Sequence, residues 1–179
     1  MSCATLSMLS ASASGVDGRR GPLVRAAINE RVSGDPNIWP VRSLARRLGK
    51  TIGPCLSIGC GLGGLERSLI EERISNDITG IDVSETVLAE ARKAGGDMPI
   101  RYIAADAREF LRGKTYDAIF FHQSLHHFDR LDALMDLVAG ALRPGGFLWF
   151  DEYIGPSRTE WKYYTDLGIA GAIPRRGAA

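Results

Sequence analysis

Five short apolar segments alternate with amphipathic segments through the middle of the chain. The apolar segments predict β-strands at residues 55–58, 78–81, 100–104, 118–121 and 147–150. The segments between them repeat apolar residues at helical spacing, as in Leu131, Leu134 and Val138. This alternation predicts an α/β fold with a doubly wound, mainly parallel, Rossmann-like sheet that carries helices on both faces.

Local signals set the limits of the predicted helices. Ser84 is placed to cap the helix after the second strand, and the glycine pair at 95–96 is placed to end it. A short helix is expected over residues 108–111. The last helix before the fifth strand is predicted to include Leu142 and to end at residues 143–146.

The part of the chain before the first strand differs in composition from the rest. Ser and Ala dominate residues 1–21, which predict a disordered tail, with a Ser-rich transit peptide as the alternative. Residues 22–50 predict a helical lead-in that covers the pocket, interrupted by a turn at 33–36 and ended by Gly49. Residues 51–179 are then expected to form the ligand-binding domain.

Composition narrows the class of protein. A chain of 179 residues with 45% hydrophobic residues forms one domain with a real core. The net charge of +1 gives no reason to expect nucleic acid or a membrane surface as a partner. Three irregularly spaced cysteines predict neither disulfides nor a metal site, which favours a reducing compartment, most simply the cytoplasm. No apolar run approaches the roughly 18 residues of a membrane span.

The glycine-rich segment after the first strand is the strongest candidate for a binding site. It lies where a strand ends and a helix begins, and glycine there lets a ligand approach the backbone closely. The helix N-terminus adds free N–H groups, which suit carboxylate, phosphate or ribose oxygens. The same segment fits a Gly59-x-Gly61-x-x-Gly64 dinucleotide motif, typical of NAD enzymes, and a Gly59-x-Gly61-x-Gly63 motif.

Polar residues stand at the ends of four predicted strands. They are Asp82, Asp106, His122 and Glu152. A reversal of strand order after the third strand places a crevice at the carboxyl ends of a parallel sheet. The sequence therefore predicts that these side chains gather at one ligand crevice.

The glycine segment is the first of five motifs that follow one another along the chain. The motifs are Ser57-Ile58-Gly59-Cys60-Gly61-Leu62-Gly63, Gly80-Ile81-Asp82-Val83-Ser84, Ala105-Asp106-Ala107, Ser124-Leu125-His126-His127-Phe128 and Leu142-Arg143-Pro144-Gly145-Gly146. In this order they resemble class I S-adenosylmethionine-dependent methyltransferases of the small-molecule type, similar to the ubiquinone/menaquinone biosynthesis group. The resemblance covers residues 52–155. It implies S-adenosylmethionine as the cofactor and a small molecule as the methyl acceptor.

The resemblance also implies which residues contact the cofactor. They are Ser57, Gly59, Cys60, Gly61, Gly63, Asp82, Val83, Asp106, Ala107, His122 and Gln123. Asp82 would hold both ribose hydroxyls, Asp106 would accept from the adenine amino group, and Val83 would pack on the adenine face. The chain departs from the family at Ser57, where an acidic residue that helps to position the cofactor ammonium is often found.

Catalysis of methyl transfer to a hydroxyl or an acidic carbon needs a base. His122 and His126 are the candidates, because imidazole exchanges protons near neutral pH. The alternative is that one of His126 and His127 packs against, or caps, the helix that begins near Asp129. No metal site is expected. Two other functions stay open, namely a catalytically inactive cofactor-binding or regulatory protein and, less favoured, an NAD-linked oxidoreductase.

The family fold usually continues after the fifth strand with a helix and an antiparallel strand pair. Only 28 residues follow Asp151 here, with a predicted helix at 158–167 and a weak strand at 168–173. The last strands of the usual seven are therefore predicted to be missing. The fifth strand would then have an unpaired apolar edge, which predicts a homodimer or a partner chain.

Overall fold

The computed structural model describes residues 21–152. The predicted disordered tail and the predicted elements at 158–167 and 168–173 lie outside the described residues. The helices are α1 (Gly21–Ser33), α2 (Pro40–Leu48), α3 (Gly64–Glu71), α4 (Glu85–Gly95), α5 (Ala107–Phe110) and α6 (Leu131–Ala141). The strands are β1 (Cys55–Ile58), β2 (Ile78–Asp82), β3 (Ile100–Ala104), β4 (Tyr116–His122) and β5 (Leu142–Asp151).

The five strands form one parallel sheet in the order β3-β2-β1-β4-β5. The chain moves outward from β1 to β3 and then returns to place β4 on the other side of β1. This reversal leaves a crevice at the carboxyl ends of β1 and β4, the usual ligand position in folds of this type. The predicted doubly wound, parallel α/β class is confirmed.

Helices cover both faces of the sheet. On one face, Cys55, Phe120 and Trp149 pack with Val41 of α2 and Leu69 of α3. On the other face, apolar residues of β1, β4 and β5 pack against α5 and α6. All four residues of β1 are buried. A strand enclosed on both faces is mostly apolar, and β1 departs from this only at Ser57.

The predicted limits of β1 and β3 are confirmed, whereas the end of α6 is wrong. Leu142 is extended, with φ −87° and ψ 133°, and it begins β5 by pairing with Tyr116 of β4. Residues 143–146 form an irregularity inside β5 rather than a helix terminator. The physical reason is tertiary, because pairing with β4 extends backbone that the local glycines predicted to be a turn.

The predicted start of α4 is confirmed. The hydroxyl of Ser84 accepts a hydrogen bond from the Val87 backbone N–H at 3.4 Å, which is the N-cap geometry. The short helix α5 begins one residue earlier than predicted. β4 is longer than its predicted span, and its last residue is His122.

Two helices, α1 and α2, precede the sheet. They are separated by residues 34–39, and α2 ends at Gly49 in the left-handed conformation. Trp39 stands at the start of α2, beside the carboxyl ends of the strands. None of the helices in the described part of the chain is both long and apolar enough to cross a membrane.

β5 is the edge strand of the sheet within residues 21–152. It pairs with β4 on one side, and no described strand pairs with its other side. The predicted self-association through this edge stays a prediction.

Candidate active site

A tight turn joins β1 to α3 and forms the base of the crevice. Gly59 has φ +68° and Gly61 has φ +54°, a region that side chains with a Cβ disfavour. A Cβ on Gly59 would lie 2.6 Å from the Cβ of Ser124. The Gly61 N–H donates to a carboxylate oxygen of Asp82 at 3.1 Å. The turn is therefore held in place by the ends of β2 and of β4.

A cavity of about 470 Å³ opens above this turn at the carboxyl ends of the strands. Of the predicted site residues, it is lined by Gly59, Cys60, Gly61, Asp82, Val83, Asp106, Ala107, His122 and Gln123. Three others do not line it, namely Ser57, Gly63 and His126. The fold thus gathers nine residues from four separate strand ends around one volume large enough for a nucleoside-sized ligand.

The Asp82 carboxylate accepts two hydrogen bonds from the backbone and also lines the cavity. Besides the bond from Gly61, its other oxygen accepts from the Ser84 N–H at 3.0 Å. Each carboxylate oxygen has a second lone pair, so these contacts leave acceptor capacity for a ligand. Beside it, Val83 is 79% exposed. An exposed apolar side chain at the rim of a polar cavity suits the face of a planar ring.

Asp106 follows β3, the strand next to β2, and lies on the same side of the cavity as Asp82. One of its oxygens accepts from the backbone N–H groups of Arg108 and Glu109, so it caps α5. The side chain also lines the cavity, and capping and ligand contact are therefore compatible here. Arg108 forms an ion pair with Asp129 at 2.7 Å, which ties this side of the cavity to the loop before α6.

The ends of β4 and β5 are bound to each other. The Gln123 N–H donates to the Asp151 carbonyl at 2.8 Å, and the Gln123 side-chain amide donates to the same residue. Gln123 has φ +56°, a strained value for a residue with a side chain. Nδ1 of His122 lies 3.3 Å from a carboxylate oxygen of Asp151. The Asp151 carboxylate is buried and lies within ion-pair distance of this imidazole, although the contact lacks hydrogen-bond geometry.

A second, smaller cavity of about 50 Å³ lies on the other side of His122. Its lining residues come from α2, α3, β4 and β5, and they include Trp39, Trp149 and Asp151. Since His122 lines both cavities, its ring stands at their junction. A ligand in the large cavity and one in the small cavity would therefore meet at this imidazole.

His126 stands apart from both cavities. Its Nδ1 lies 2.8 Å from a carboxylate oxygen of Glu152, and half of its side chain is exposed. Its ring centre is 4.0 Å from that of His127, which does line the large cavity. Among the described residues, no side chain caps α6 at Arg130, so neither His126 nor His127 is its cap; the imidazole of His126 pairs with Glu152, which follows β5.

Three further predicted residues have clear packing positions. Ser57 is 1% exposed and lies beneath the turn. Gly63 packs against Tyr102, whose hydroxyl oxygen would be 2.2 Å from any Cβ there. Burial raises the pKa of the Cys60 thiol well above its usual range, so this cysteine stays protonated and is no nucleophile. Within the described residues, no group of three or more His, Cys, Asp or Glu side chains is placed to hold a metal ion.

Sequence reasoning missed several residues of the site. The Ser124 hydroxyl donates to the Ile58 carbonyl at 2.7 Å and fixes the loop after β4 against β1. Glu66, on the first turn of α3, is fully buried below the glycine turn. The other two residues that were missed are Asp151, which lies beside His122, and Arg108, which pairs with Asp129. A signal existed for Asp151, which ends a predicted strand, but nothing in the sequence shows that Glu66 is buried while the charged side chain of Arg67 beside it is partly exposed.

A parallel sheet with this strand order, a glycine turn after β1 and acidic residues after β2 and β3 defines the class I methyltransferase architecture. Residues 56–150, more than half of the chain, match the methyltransferase domain family. The chain belongs to this family, and its fold is that of S-adenosylmethionine-dependent class I methyltransferases.

Relatives agree with this assignment. An uncharacterised methyltransferase of Mycobacterium tuberculosis is 30% identical over 122 residues, covering 68% of this chain and 61% of the relative. Trans-aconitate 2-methyltransferase of Streptomyces avermitilis is 37% identical over 102 residues, covering 52% of this chain and 36% of that protein. The chain thus spans less than two thirds of the length of these relatives.

Solved structures show the same fold. An S-adenosylmethionine-dependent methyltransferase from Mesorhizobium loti has a TM-score of 0.52 and 32% identity, covering 60% of this chain and 50% of that one. The complex of DhpI with S-adenosylhomocysteine has a TM-score of 0.53 and 30% identity, covering 63% of this chain and 55% of that one.

Proposed function

We propose that this protein binds S-adenosylmethionine in the large cavity and transfers its methyl group to a small-molecule acceptor. The observation that carries the proposal is the convergence of the glycine turn, Asp82, Val83, Asp106 and His122 on one cavity of about 470 Å³. The names of the relatives support it, since the matched proteins are methyltransferases and DhpI was solved with S-adenosylhomocysteine.

The cavity offers a complementary surface to each part of this cofactor. The Asp82 carboxylate receives the ribose hydroxyls, and Val83 packs on the adenine face. Asp106 accepts from the adenine amino group, and the Ala107 N–H donates to a ring nitrogen. The methionine part then extends over Gly59 and Gly61 toward His122, a placement supported by the fact that all three residues line the cavity.

His122 is the proposed base. S-adenosylmethionine supplies an electrophilic methyl group, and the acceptor atom forms the new bond to carbon while the carbon–sulfur electrons pass to sulfur. His122 takes the proton that the acceptor releases, and Asp151 at 3.3 Å stabilises the charged imidazole. The fact that His122 lines both cavities supports this role. Because His126 lines neither cavity and its imidazole pairs with Glu152, we propose for it a role secondary to that of His122.

The small cavity is the proposed entrance for the acceptor. Trp39, Val41 and Trp149 make it apolar on one side, and His122 and Asp151 make it polar on the other. Closing such a pocket around the reacting atoms aligns them and excludes water. We further propose a cytoplasmic location, no nucleic-acid or membrane partner, and self-association through the β5 edge.

Calorimetry on the purified chain tests cofactor binding. We expect S-adenosylmethionine and S-adenosylhomocysteine to bind and NAD to give no heat. Binding of NAD alone, or of none of the three by a folded protein, would overturn the proposal.

Methyl transfer is tested separately with tritium-labelled S-adenosylmethionine and the low-molecular-mass fraction of a cell extract. Label is expected to move to a small product with wild-type protein and about 100-fold more slowly with His122→Gln, a loss in the usual range for a general base. His126→Gln is the matched variant, with a smaller loss expected. Binding without any transfer would instead favour an inactive, cofactor-binding protein.

A further inference from the structure

Glu66 is a buried carboxylate that the site described so far does not use. Its side chain is completely buried on the first turn of α3. Neither of its oxygens has a partner with hydrogen-bond geometry among residues 21–152. Burying an unpaired carboxylate is costly, and proteins normally pair such groups. A helix that required only packing at this position would be more stable with an apolar residue.

The two other buried carboxylates of this region behave differently. Asp151 lies beside His122 and receives the side-chain amide of Gln123, and Glu152 pairs with His126 at 2.8 Å. Glu66 alone among these three carboxylates points its oxygens at no cation and no donor of good geometry. An unmatched acceptor beneath a cofactor cavity is what remains when the cationic part of the ligand is absent.

The position of Glu66 matches a gap in the family pattern. The side chain of Ser57, in β1 just before the glycines, is near enough to the Glu66 carboxyl to lower its pKa. Position 57 is where the family often carries the acid that serves the cofactor ammonium. Here the strand has a serine and the following helix has a buried glutamate opposite it.

We propose that Glu66 replaces the missing acid and acts, through the Ser57 hydroxyl, as the counter-charge for the α-ammonium of S-adenosylmethionine. The inference rests on the proposed cofactor site. In this arrangement the Ser57 hydroxyl donates to Glu66 and accepts from the ammonium. Glu66 is thus a positioning residue. The acid lies on α3 in this chain instead of at position 57 in β1, and both positions are beneath the glycine turn.

The charges around Glu66 fit such a role. Burial raises the pKa of Glu66, and the Ser57 hydroxyl, His122 and Arg67 oppose this rise only in part. Cys60 and Tyr102 also face it, and both keep their protons because burial raises their pKa values as well. A neighbouring ammonium favours the charged carboxylate. Cofactor binding should therefore favour the form of Glu66 that has lost its proton.

Two ligands separate this role from simple packing. S-adenosylhomocysteine carries the ammonium, whereas 5′-methylthioadenosine has the same nucleoside and sulfur without the amino-acid part. Glu66→Gln is expected to weaken S-adenosylhomocysteine binding about 10- to 100-fold, as for loss of a charge-assisted contact, and to leave 5′-methylthioadenosine unchanged. Glu71→Gln is the matched control, because it makes the same change at an exposed position of α3.

The double variant Ser57→Asp/Glu66→Gln restores the acid at the strand position and is expected to regain most of the lost affinity. Should that variant not fold, proton release supplies the second measurement. Calorimetry of wild type in two buffers of different ionisation enthalpy should show a proton released on S-adenosylhomocysteine binding, and Glu66→Gln should abolish it. Equal weakening of both ligands by Glu66→Gln, or no change in either, would overturn the inference. Failure of wild type to bind either ligand would instead overturn the cofactor site itself.

Discussion

The two ends of the sheet differ in whether the polar side chains of Asp117, Glu66 and His122 have hydrogen-bond partners within the protein. At the amino end, the Asp117 carboxylate accepts from the Gly53 N–H at 2.7 Å and from Arg143 at 2.9 Å. At the carboxyl end, Glu66 has no partner of good geometry within residues 21–152, and His122 lies 3.3 Å from Asp151 without hydrogen-bond geometry. At the amino end, these polar groups are paired within the protein. At the carboxyl end, Glu66 and His122 lack such partners in the described part of the chain, which costs stability and leaves both groups available to a ligand.

This contrast separates residues that stabilise the fold from residues that bind. Mutations at the amino end should change the free energy of unfolding and leave cofactor affinity unchanged. Mutations at the carboxyl end should change affinity by more than they change stability.

The largest effect is expected at Gly59. An alanine there requires φ +68° and places a Cβ 2.6 Å from that of Ser124. The conformational cost and the clash together predict a loss of about 2–4 kcal/mol in the free energy of unfolding, and at least a 100-fold loss of S-adenosylhomocysteine affinity. Gly113→Ala is the control, since Gly113 has φ +70° with open space around it. We expect a loss of about 1 kcal/mol and no change in affinity there, by urea unfolding and calorimetry.

The next largest effect comes from a matched pair, Asp117→Asn and Asp82→Asn. Asparagine keeps the shape of the side chain and removes the charge. At Asp117 it should destabilise the protein by about 1–3 kcal/mol, because two donors lose a charged acceptor, and leave affinity unaltered. At Asp82 it should weaken S-adenosylhomocysteine binding about 10- to 100-fold with a smaller loss of stability. Equal effects of the two variants on affinity would contradict the contrast between the ends.

The contrast also explains what the sequence could and could not predict. The limits of β1 and β3 and the cap at Ser84 follow from local patterns, and the structure has them where predicted. Asp82, Asp106 and His122 line the cavity as predicted from their places at strand ends, which a parallel sheet gathers at one edge, whereas Glu152, the fourth such residue, does not. As contacts of the cofactor, the other six cavity residues were implied by the resemblance alone. Leu142 was misplaced because pairing with β4, and not local preference, decides its conformation.

The burial of Glu66 and the pairing of His122 with Asp151 could not be predicted from local sequence patterns. Glu66 stands between Leu65 and Arg67, and helical spacing alone does not say on which side of the buried stripe it lies. The pairing of His122 with Asp151 depends on strand register, which shifts at the irregularity between β4 and β5. Burial of charge and register are tertiary properties, and both appear at the ligand end of the sheet.

An intermediate effect is expected from the buried charge at the carboxyl end. Because burial raises the pKa of Glu66 above the ordinary 4.5, the folded protein binds more protons than the unfolded chain at this group once the pH exceeds about that value. The stability of the ligand-free protein should then fall as pH rises from 4.5 through the folded pKa. Glu66→Gln has no such charge, so at pH 8 it should be more stable than wild type by about 1–2 kcal/mol.

Thermal unfolding of the two proteins between pH 4 and pH 8 measures this difference. It should be smallest at pH 4, where wild-type Glu66 is protonated in both states, and should widen with pH. A variant that stabilises the free protein while weakening S-adenosylhomocysteine binding would be the clearest sign that this end exchanges stability for function. A constant difference across the pH range would mean that the charge of Glu66 plays no part.

The smallest effect is expected from Ser84→Ala. This variant tests whether closeness to the cavity, or the lack of a hydrogen-bond partner, decides which polar residues affect binding. Ser84 lies at the carboxyl end, two residues from Asp82, yet its hydroxyl is occupied by the Val87 N–H at 3.4 Å. Ser84→Ala should therefore behave like an amino-end variant, with a loss of about 0.5–1 kcal/mol and unchanged affinity. The Ser84 N–H that donates to Asp82 belongs to the backbone and survives the substitution. If affinity fell as far as in Asp82→Asn, closeness to the cavity would matter more than whether a polar group already has a partner.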